Sequence, residues 1–448
     1  MKFCKLTVNM TDRKGHYVII GAGISGLSSA FYLRKKFPEA RITVFDKKER
    51  AGGWMHTSTN KDYRFEEGPR FFKGSKSPDL LQLILDAGLK EEVVGADNKC
   101  LRRYIYTDSK LHLLPRGPFS FLSSPLTRGT ISHILREFFV SKNLDDDETI
   151  HDFIRRRFGS EKLSLLFDSF VSGIFAGDTK EMSVRSSFPV LHGLEKEYGS
   201  VLRGLFKRKK ITPSEIYKEL PFMGLFTLKG GMGTLVQKLQ KESGAEFRLA
   251  KKAFSVDPIK KEIDGLPFDH LIVATSSKDA SEILTCLEPL KKIRNHSLHL
   301  VNMGFDKKLL DRKAFGYLVP PKEKERVLGC AWDSCIYPLP HPKGEVTRLG
   351  VMMGGAHHPE IDGFSDDTCI EIAKDAIVRH MGIKASPEVV TVTRAKGASV
   401  QYALGHEKLI QEVESKLPDW LSLTGNYLEG IAVTHCIKRS KKVVCAIN

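Results

Sequence analysis

Near its start the chain carries a short β-branched run, His16–Ile20, which gives way to Gly21-Ala22-Gly23-Ile24-Ser25-Gly26. Apolar residues at helical spacing then continue to about Lys36. Pro38 ends the connection, and Arg41–Phe45 (RITVF) reads as a second apolar strand closed by Asp46. Strand, glycine turn, helix, strand and a terminal acid make the βαβ unit that holds a dinucleotide. In that unit Gly21 makes the tight turn, Gly23 lets backbone approach a pyrophosphate, and Gly26 lets helix and strand pack closely. The helix N-terminus presents N–H groups and a positive dipole end to phosphate, and Asp46 can accept hydrogen bonds from a ribose diol.

The residues that follow narrow the ligand. Glu49-Arg50-Ala51-Gly52-Gly53-Trp54 comes directly after Asp46, and Phe65-Glu66-Glu67-Gly68-Pro69-Arg70 soon after that. In nicotinamide enzymes the second strand normally runs straight into another crossover. A glycine pair and a Gly-Pro-Arg turn here predict an extended flavin dinucleotide with a cation near its ring.

From Leu101 to about Lys210 the chain reads mostly helical, with an aromatic-bearing turn region at Pro115–Pro125. Ile131–Phe139 (ISHILREFF) has apolar residues at helical spacing and fits either a core helix or a helix facing a membrane, flanked by Arg128, Arg136 and Lys142. Phe206–Lys210 (FKRKK) reads as a solvated basic face or loop. Lys229–Thr234 (KGGMGT) introduces another helix, and Leu271–Ala274 is a buried strand. Alternating strands are expected at 298–305, 315–320, 326–333 and 347–354, a mixed or antiparallel wall for a large planar ligand. A strand at Leu421–Thr424 and a glycine-mediated entry at Glu429–Val433 lead into a final helix. No repeats or polar linkers occur, so the domains interleave.

Length and composition set bounds on this picture. At roughly 150 residues per domain, 448 residues make about three units, with ample core. With 41% hydrophobic and 28% charged residues, disorder, collagen and a polytopic membrane protein are excluded. The net charge of +16 favours an anionic partner, whether nucleic acid, an acidic membrane surface or a carboxylate-rich substrate. Tyr17–Leu33 is uncharged and just long enough to span a bilayer. Its three glycines, three serines and change of character after Gly21 fit strand, turn and helix better. Eight cysteines without a CxxC pair predict reduced, mostly buried thiols rather than a metal site or a disulfide framework. The first sixteen residues lack the apolar core of a secretory signal.

From Tyr17 to the C-terminus the motifs VIIGAGISGLSSAFYL, RAGGW, FEEGPR, GIFAGD, LKGGMGTL, QYALGH and YLEGIAV occur in order. In this the chain resembles the protoporphyrinogen oxidases, within the wider flavin amine-oxidase-like superfamily. GIFAGD with the following MSVRSSFP, and VQYALGH at Val400–His406, are the more specific marks. Trp54 and Arg103-Tyr104 resemble the oxygen-dependent, mitochondrial-type enzymes more than the coproporphyrinogen-oxidising ones. The implied fold is α/β (α+β mixed), with three interleaved parts. A Rossmann-like FAD-binding domain takes 14–90, 225–285 and 405–448. A mixed-sheet substrate domain takes 91–104, 208–224 and 286–404. A helical membrane-binding insert takes 105–207.

The resemblance places non-covalent FAD on Gly21, Ala22, Gly23, Ile24, Ser25, Gly26, Asp46, Lys47, Trp54, Gly68, Pro69, Arg70, Phe71, Ala253, Ile431, Ala432 and Val433. It places the substrate on Arg103, Gly173, Ile174, Phe175, Leu318 and Met352, with no catalytic side chain and no metal. Arg103 would fork a propionate carboxylate, although on residues alone it reads as a surface arginine beside Arg102. Leu318 and Met352 read alone as core residues. Arg70 would help place the flavin ring, or else form a structural ion pair. Two departures from the family pattern stand out: Asp46 where Glu is commoner, and Lys438-Arg439-Ser440 after Cys436, which could reposition the last helix.

The activity implied is oxidation of protoporphyrinogen IX to protoporphyrin IX, the penultimate step of haem biosynthesis. It proceeds in three hydride transfers to FAD, with dioxygen as acceptor and hydrogen peroxide as by-product. A coproporphyrinogen III oxidase is the alternative, and a flavoprotein amine oxidase a weaker one. The expected setting is peripheral attachment to a membrane, mitochondrial inner in a eukaryote or the cytoplasmic face in a bacterium. A homodimer and contact with ferrochelatase are expected, and nucleic acid is not.

Overall fold

The computed structural model describes residues 14–74, 77–143, 145–207, 216–220, 224–251 and 255–448. The apolar runs HYVII, RITVF and HLIV lie side by side in a parallel five-stranded sheet. Its strand order is Glu246–Arg248, Arg41–Phe45, His16–Ile20, His270–Val273, Leu421–Leu423. Parallel strands must be covered on both faces, which is why these runs are largely continuous in apolar residues rather than alternating. Ile19, Ile42, Val44 and Ile272 pack beneath the helices Ile24–Lys36, Gly233–Glu242 and Val433–Ala446. Val18, Ile20, Phe45, Leu271 and Val273 pack the other face against 285–292 and His406–Ser415.

A second, seven-stranded sheet runs in the order Val389–Val400, Asn295–Phe305, Thr347–Gly354, Val327–Ala331, Gly316–Leu318, Arg103–Thr107, Lys110–Leu113. All its neighbours are antiparallel except Gly316–Leu318 with Arg103–Thr107. The helix Asp366–Met381 covers one face, closing a core of Tyr104, Tyr317, Cys330, Val351 and Ile377. The other face looks towards the cofactor residues.

Three boundaries move. The hairpin Arg103–Leu113 belongs to the second sheet, so the helical insert begins after Leu113 rather than at 105, and the stretch from 101 is not uniformly helical. Ile216 and Leu220, expected in the substrate domain, pack in the first domain's core. Leu287 and Leu290 likewise stay with the first sheet, which therefore reaches the start of Asn295–Phe305.

The insert has its own apolar core around Phe153, Val171, Met182 and Leu194, but it also buries charge and leaves apolar side chains outside. Ile131 and Leu135 on the Ile131–Glu137 helix are exposed, as is Phe139 just beyond it, whereas Glu137 is fully buried. Phe119 and Phe206 are also exposed, at 85% and 81%. Glu137 accepts from Ser200 Oγ and the Val201 N–H, capping the Val201–Lys207 helix. Buried Arg157 lies 3.4 Å from Glu137 and 3.2 Å from Glu195, and donates to the carbonyls of Val140 and Gly199. Arg156 adds ion pairs to Glu148 and Glu195. The insert is thus tied by a buried charge network, with part of its apolar surface outside.

Among the described residues no helix is long and apolar enough to cross a membrane. The described cysteines are all free thiols, and four of them are buried.

Candidate flavin and substrate site

The three motif glycines have different surroundings. A Cβ on Gly21, whose φ is +109°, would stand 2.5 Å from the Ala274 carbonyl oxygen, and one on Gly26 would strike the Gly21 carbonyl. One on Gly23 would meet only the Gly53 Cα, at 3.9 Å. Gly21 and Gly26 are glycines because backbone crowds them; Gly23 faces space. That space lies at the N-terminus of the Ile24–Lys36 helix, where no side chain caps the first N–H groups. Uncapped donors and a positive dipole end suit a pyrophosphate.

Asp46 Oδ2 accepts the Ala22 N–H at 2.7 Å and Oδ1 the Lys48 N–H at 2.8 Å, so its carboxylate is oriented at the strand end with lone pairs to spare. The glycine pair closes the other side: the Gly52 N–H donates to the Ala22 carbonyl at 2.8 Å. The cradle fits an extended dinucleotide. A cleft of about 380 Å³ adjoins it between Arg50, His56, Gly230 and Gly233.

Other expected cofactor residues divide. Lys47 is turned to Asp279, 2.7 Å away, and so orients a neighbouring helix start. Lys48 lies over the Trp54 ring at 4.1 Å, and Gly68 is pressed against the Trp54 carbonyl, leaving no room for a Cβ. Ile431, Ala432 and Val433 form the entry to the last helix. That helix is fixed to the first one, since Ser440 Oγ donates to the Ser25 carbonyl at 2.8 Å. Arg439, also part of the departure from the family pattern, is buried on Glu414, Glu429 and the Leu423 carbonyl. Ala253 lies outside the described residues.

Arg70 is the hinge between the two sheets. It is 8% exposed, its Nη1 pairs with Asp333, and its Nη2 donates to Asn302 Oδ1 at 2.9 Å. The structural ion pair is thus what Arg70 makes, and through it the Gly68–Phe71 turn is docked on the second sheet. Strand register explains how it reaches. Arg103, Gly316, Ala331, Gly350 and Asn302 lie in one cross-strand row, and Ile105, Leu318, Gly329, Met352 and Leu300 in the next row on the same face. The small residues between Arg103 and Asn302 let Arg70 descend; a Cβ on Gly350 would collide with its guanidinium.

On this face the structure brings together Arg103, Leu318 and Met352. Gly173 joins them from the end of the Glu161–Phe175 helix, so close to Leu318 that a Cβ would clash. Ile174 beside it is 53% exposed, whereas Phe175 packs edge-on against Phe188 in the insert. GIFAGD with the following MSVRSSFP meets VQYALGH here: Ser399, just before Val400, donates to the Phe175 carbonyl, and the Ser183 N–H to the Tyr402 carbonyl at 2.8 Å.

Arg103 stacks on Phe315 at 5.0 Å, and Phe315 meets Phe71 edge-on at 5.1 Å. This aromatic pair links Arg103 to the Gly68–Phe71 turn, and Phe315 was not foreseen as a site residue. Its only mark in the sequence was its place at the head of an expected strand. Burial first, and then the neighbouring Arg116 charge, hold the Arg103 guanidinium below its usual value.

Glu66 is a second residue that motif reading passed over. It accepts from the Met232 N–H at 3.0 Å and Thr57 Oγ1 at 2.9 Å, clamping the KGGMGT loop to the Thr57–Glu66 hairpin. Burial pushes its carboxyl up to about 7. No group of acids, histidines and cysteines among the described residues could hold a metal ion.

Comparison with known proteins agrees with this geometry. Residues 24–448 match the family described as flavin containing amine oxidoreductase. The human protein named protoporphyrinogen oxidase is 29% identical over 467 residues, covering 96% of this chain and 98% of the relative. The Bacillus subtilis protein named coproporphyrinogen III oxidase is also 29% identical, over 472 residues, covering 97% and 98%. Among solved structures, one from Exiguobacterium sp. 255-15 superposes with a TM-score of 0.83 at 21% identity, covering 98% of this chain and 99% of its own. Cyclohexylamine oxidase from Brevibacterium oxydans superposes at 0.69 with 16% identity, covering 97% and 99%.

Proposed function

The chain belongs to the flavin-containing amine oxidoreductase family, and on that footing we propose that it oxidises protoporphyrinogen IX to protoporphyrin IX. Bound FAD supplies the two-electron acceptor. The chain's own residues have simpler tasks. Gly23 and the first helix turn receive the pyrophosphate, Asp46 the ribose, and the Gly68–Phe71 turn stands where the ring must meet the substrate sheet. Leu318, Met352 and Phe315 give an apolar wall that excludes water from a hydrophobic macrocycle. Arg103 holds a propionate through a planar fork that lysine does not offer. No acid or base is required of a side chain when the cofactor carries the hard step.

One observation carries the reading: Arg103 is a half-buried guanidinium with no carboxylate partner among the described residues, seated on the aromatic pair that leads to the flavin turn. An unpaired cation at an apolar wall is suited to an anionic group on an otherwise hydrophobic ligand. Coproporphyrinogen III is the second reading, favoured by the equal identity to the Bacillus relative. Anaerobic mixing of the holoenzyme with each porphyrinogen decides between them: faster bleaching of the flavin by protoporphyrinogen supports the proposal, and faster bleaching by coproporphyrinogen replaces it. Failure of both defeats porphyrinogen oxidation altogether. Readmitting air and measuring hydrogen peroxide tests dioxygen as acceptor.

The proposal extends to peripheral membrane attachment through the insert, supported by exposed Phe119, Leu122, Ile131, Leu135, Phe139 and Phe206 on a chain of net charge +16. Apolar side chains in the interface and basic charge near anionic lipid act together in such binding. A homodimer and delivery of product to ferrochelatase belong to the same proposal, and sedimentation and co-purification test them.

A further inference from the structure

We propose that Arg116 is a second carboxylate-binding residue, forming with Arg103 a two-cation clamp for the neighbouring propionates of one substrate edge. The inference rests on the porphyrinogen reading and deepens it, because it says how the macrocycle is oriented.

The hairpin sets the two arginines side by side. Tyr104 pairs with Leu113, and the Leu114 N–H donates to the Arg103 carbonyl at 2.9 Å, so the chain leaves the sheet alongside Arg103. Pro115 turns it, and the N–H groups of Arg116 and Gly117 both donate to Ser120 Oγ, at 3.1 and 3.0 Å. That turn fixes the Arg116 backbone two residues beyond the one opposite Arg103. After burial, the Arg116 charge is what holds the Arg103 guanidinium below its usual value, with no acid to offset it.

Other arginines withdrawn from solvent are partnered: buried Arg70 and Arg439 and half-buried Arg156 pair with carboxylates, and buried Arg348 and half-buried Arg34 donate to backbone carbonyls. Among the described residues half-buried Arg103 has neither kind of side-chain partner, and its charged neighbour is the exposed Arg116. Two like charges left together without a counter-ion work against folding, so a ligand that brings two carboxylates gains from both.

Protoporphyrinogen IX carries its two propionates on adjacent pyrroles, flanking one bridging carbon. One guanidinium fixes one carboxylate and leaves the ring free to pivot about it. Two cations fix the edge, and with it which bridging carbon faces the flavin turn.

The test compares wild type, Arg116→Gln and Arg116→Lys as holoenzymes, after matching flavin content and melting temperature. Each is given the free diacid and the dimethyl ester of protoporphyrinogen. Arg116→Gln is expected to lower kcat/KM for the diacid about tenfold or more, mostly through KM. It should leave the ester unaffected, and Arg116→Lys should recover part of the loss. The melting temperature of ligand-free Arg116→Gln should equal or exceed that of wild type, because a repulsion is removed. Equal losses on diacid and ester, or no loss on either, would overturn the clamp. Binding of stable protoporphyrin and its dimethyl ester, read by fluorescence quenching, gives the same comparison without turnover. If no porphyrinogen is oxidised by wild type, the functional reading fails, and the binding arm still decides whether Arg116 selects carboxylates.

Discussion

The nucleotide sheet and the helical insert solve opposite problems with the same twenty side chains. The sheet buries apolar runs on both faces and leaves its polar business to backbone: N–H groups at a helix start and glycines where nothing else fits. The insert packs a smaller apolar core around Phe153 and Val171, yet also buries Arg157, Glu137 and Glu195 and leaves Phe119, Phe139 and Phe206 outside. Apolar contacts hold the first, and in the second a buried charge network shares that task. The division is one of order as well as composition, with backbone fixed around the nucleotide cradle and apolar side chains left exposed on the insert.

The comparison can be broken in order of size. Gly23→Val should abolish flavin binding while the apoprotein still folds, because its side chain would occupy space that only the cofactor needs. Gly26→Val should lose the fold as well, since its Cβ meets the Gly21 carbonyl. Flavin-to-protein ratio and circular dichroism separate the two, and a yellow Gly23→Val protein removes this loop from the site. Arg157→Met should destabilise the protein by about 3–5 kcal/mol by leaving buried Glu137 without its cation, yet flavin should stay bound. Denaturant melts followed by far-ultraviolet circular dichroism, which senses the insert's helices, and by flavin would disagree in midpoint if the insert is the weaker unit.

Arg103→Leu should cost about 1.5–3 kcal/mol in kcat/KM, roughly ten- to a hundredfold, with flavin content unchanged. Arg103→Lys should recover only part, because it restores charge and not the fork.

Glu66 gives the sheet a pH dependence. Its folded-state value of about 7 stands above the ordinary 4.5, so the folded chain holds this proton more tightly than the unfolded one. The contribution is whole below about 4.5 and declines as pH rises towards about 7, by something on the order of 1–3 kcal/mol. Glu66→Gln should flatten that slope in thermal melts between pH 4.5 and 7.5, and an unchanged slope would assign it elsewhere. The smallest effect on stability belongs to the double change of Phe119 and Phe139 to Ser. Exposed as they are, the loss should stay within about 0.5 kcal/mol, while flotation with cardiolipin-containing vesicles should fall sharply. Undiminished flotation would separate membrane binding from these two rings.

The cradle was legible because each backbone demand there leaves a mark in residue type. Gly21, Gly26 and Asp46 stand at fixed offsets, and the strand bounds His16–Ile20 and Arg41–Phe45 came out as read. The sheet face that carries Arg103, Leu318 and Met352 was legible only through resemblance. Which face Leu318 and Met352 occupy is set by cross-strand register, and Arg70 meets Asp333 across 263 residues of chain. The strand Val389–Val400 carried no expectation, because TVTRAKGAS is half-buried and polar at the edge of its sheet. Ile131–Phe139 has the same helical periodicity whether its apolar residues face inwards or outwards. Only Glu137, buried beneath the next helix, decides it.

The last helix has a consequence for how the protein is made. Ser440 bonds to Ser25, and Leu421–Leu423 completes a sheet begun at His16. An emerging chain carries its phosphate loop from the outset but cannot close it until the C-terminal residues have left the ribosome. At about 5–20 residues per second that wait is on the order of 20–90 s, during which five apolar strands lack their final neighbours or cover. Closure of the cradle thus waits on a residue 415 positions further along the chain. A truncation that removes only Val433–Ala446 should accumulate as colourless, chaperone-bound protein, although every glycine of the nucleotide motif is present.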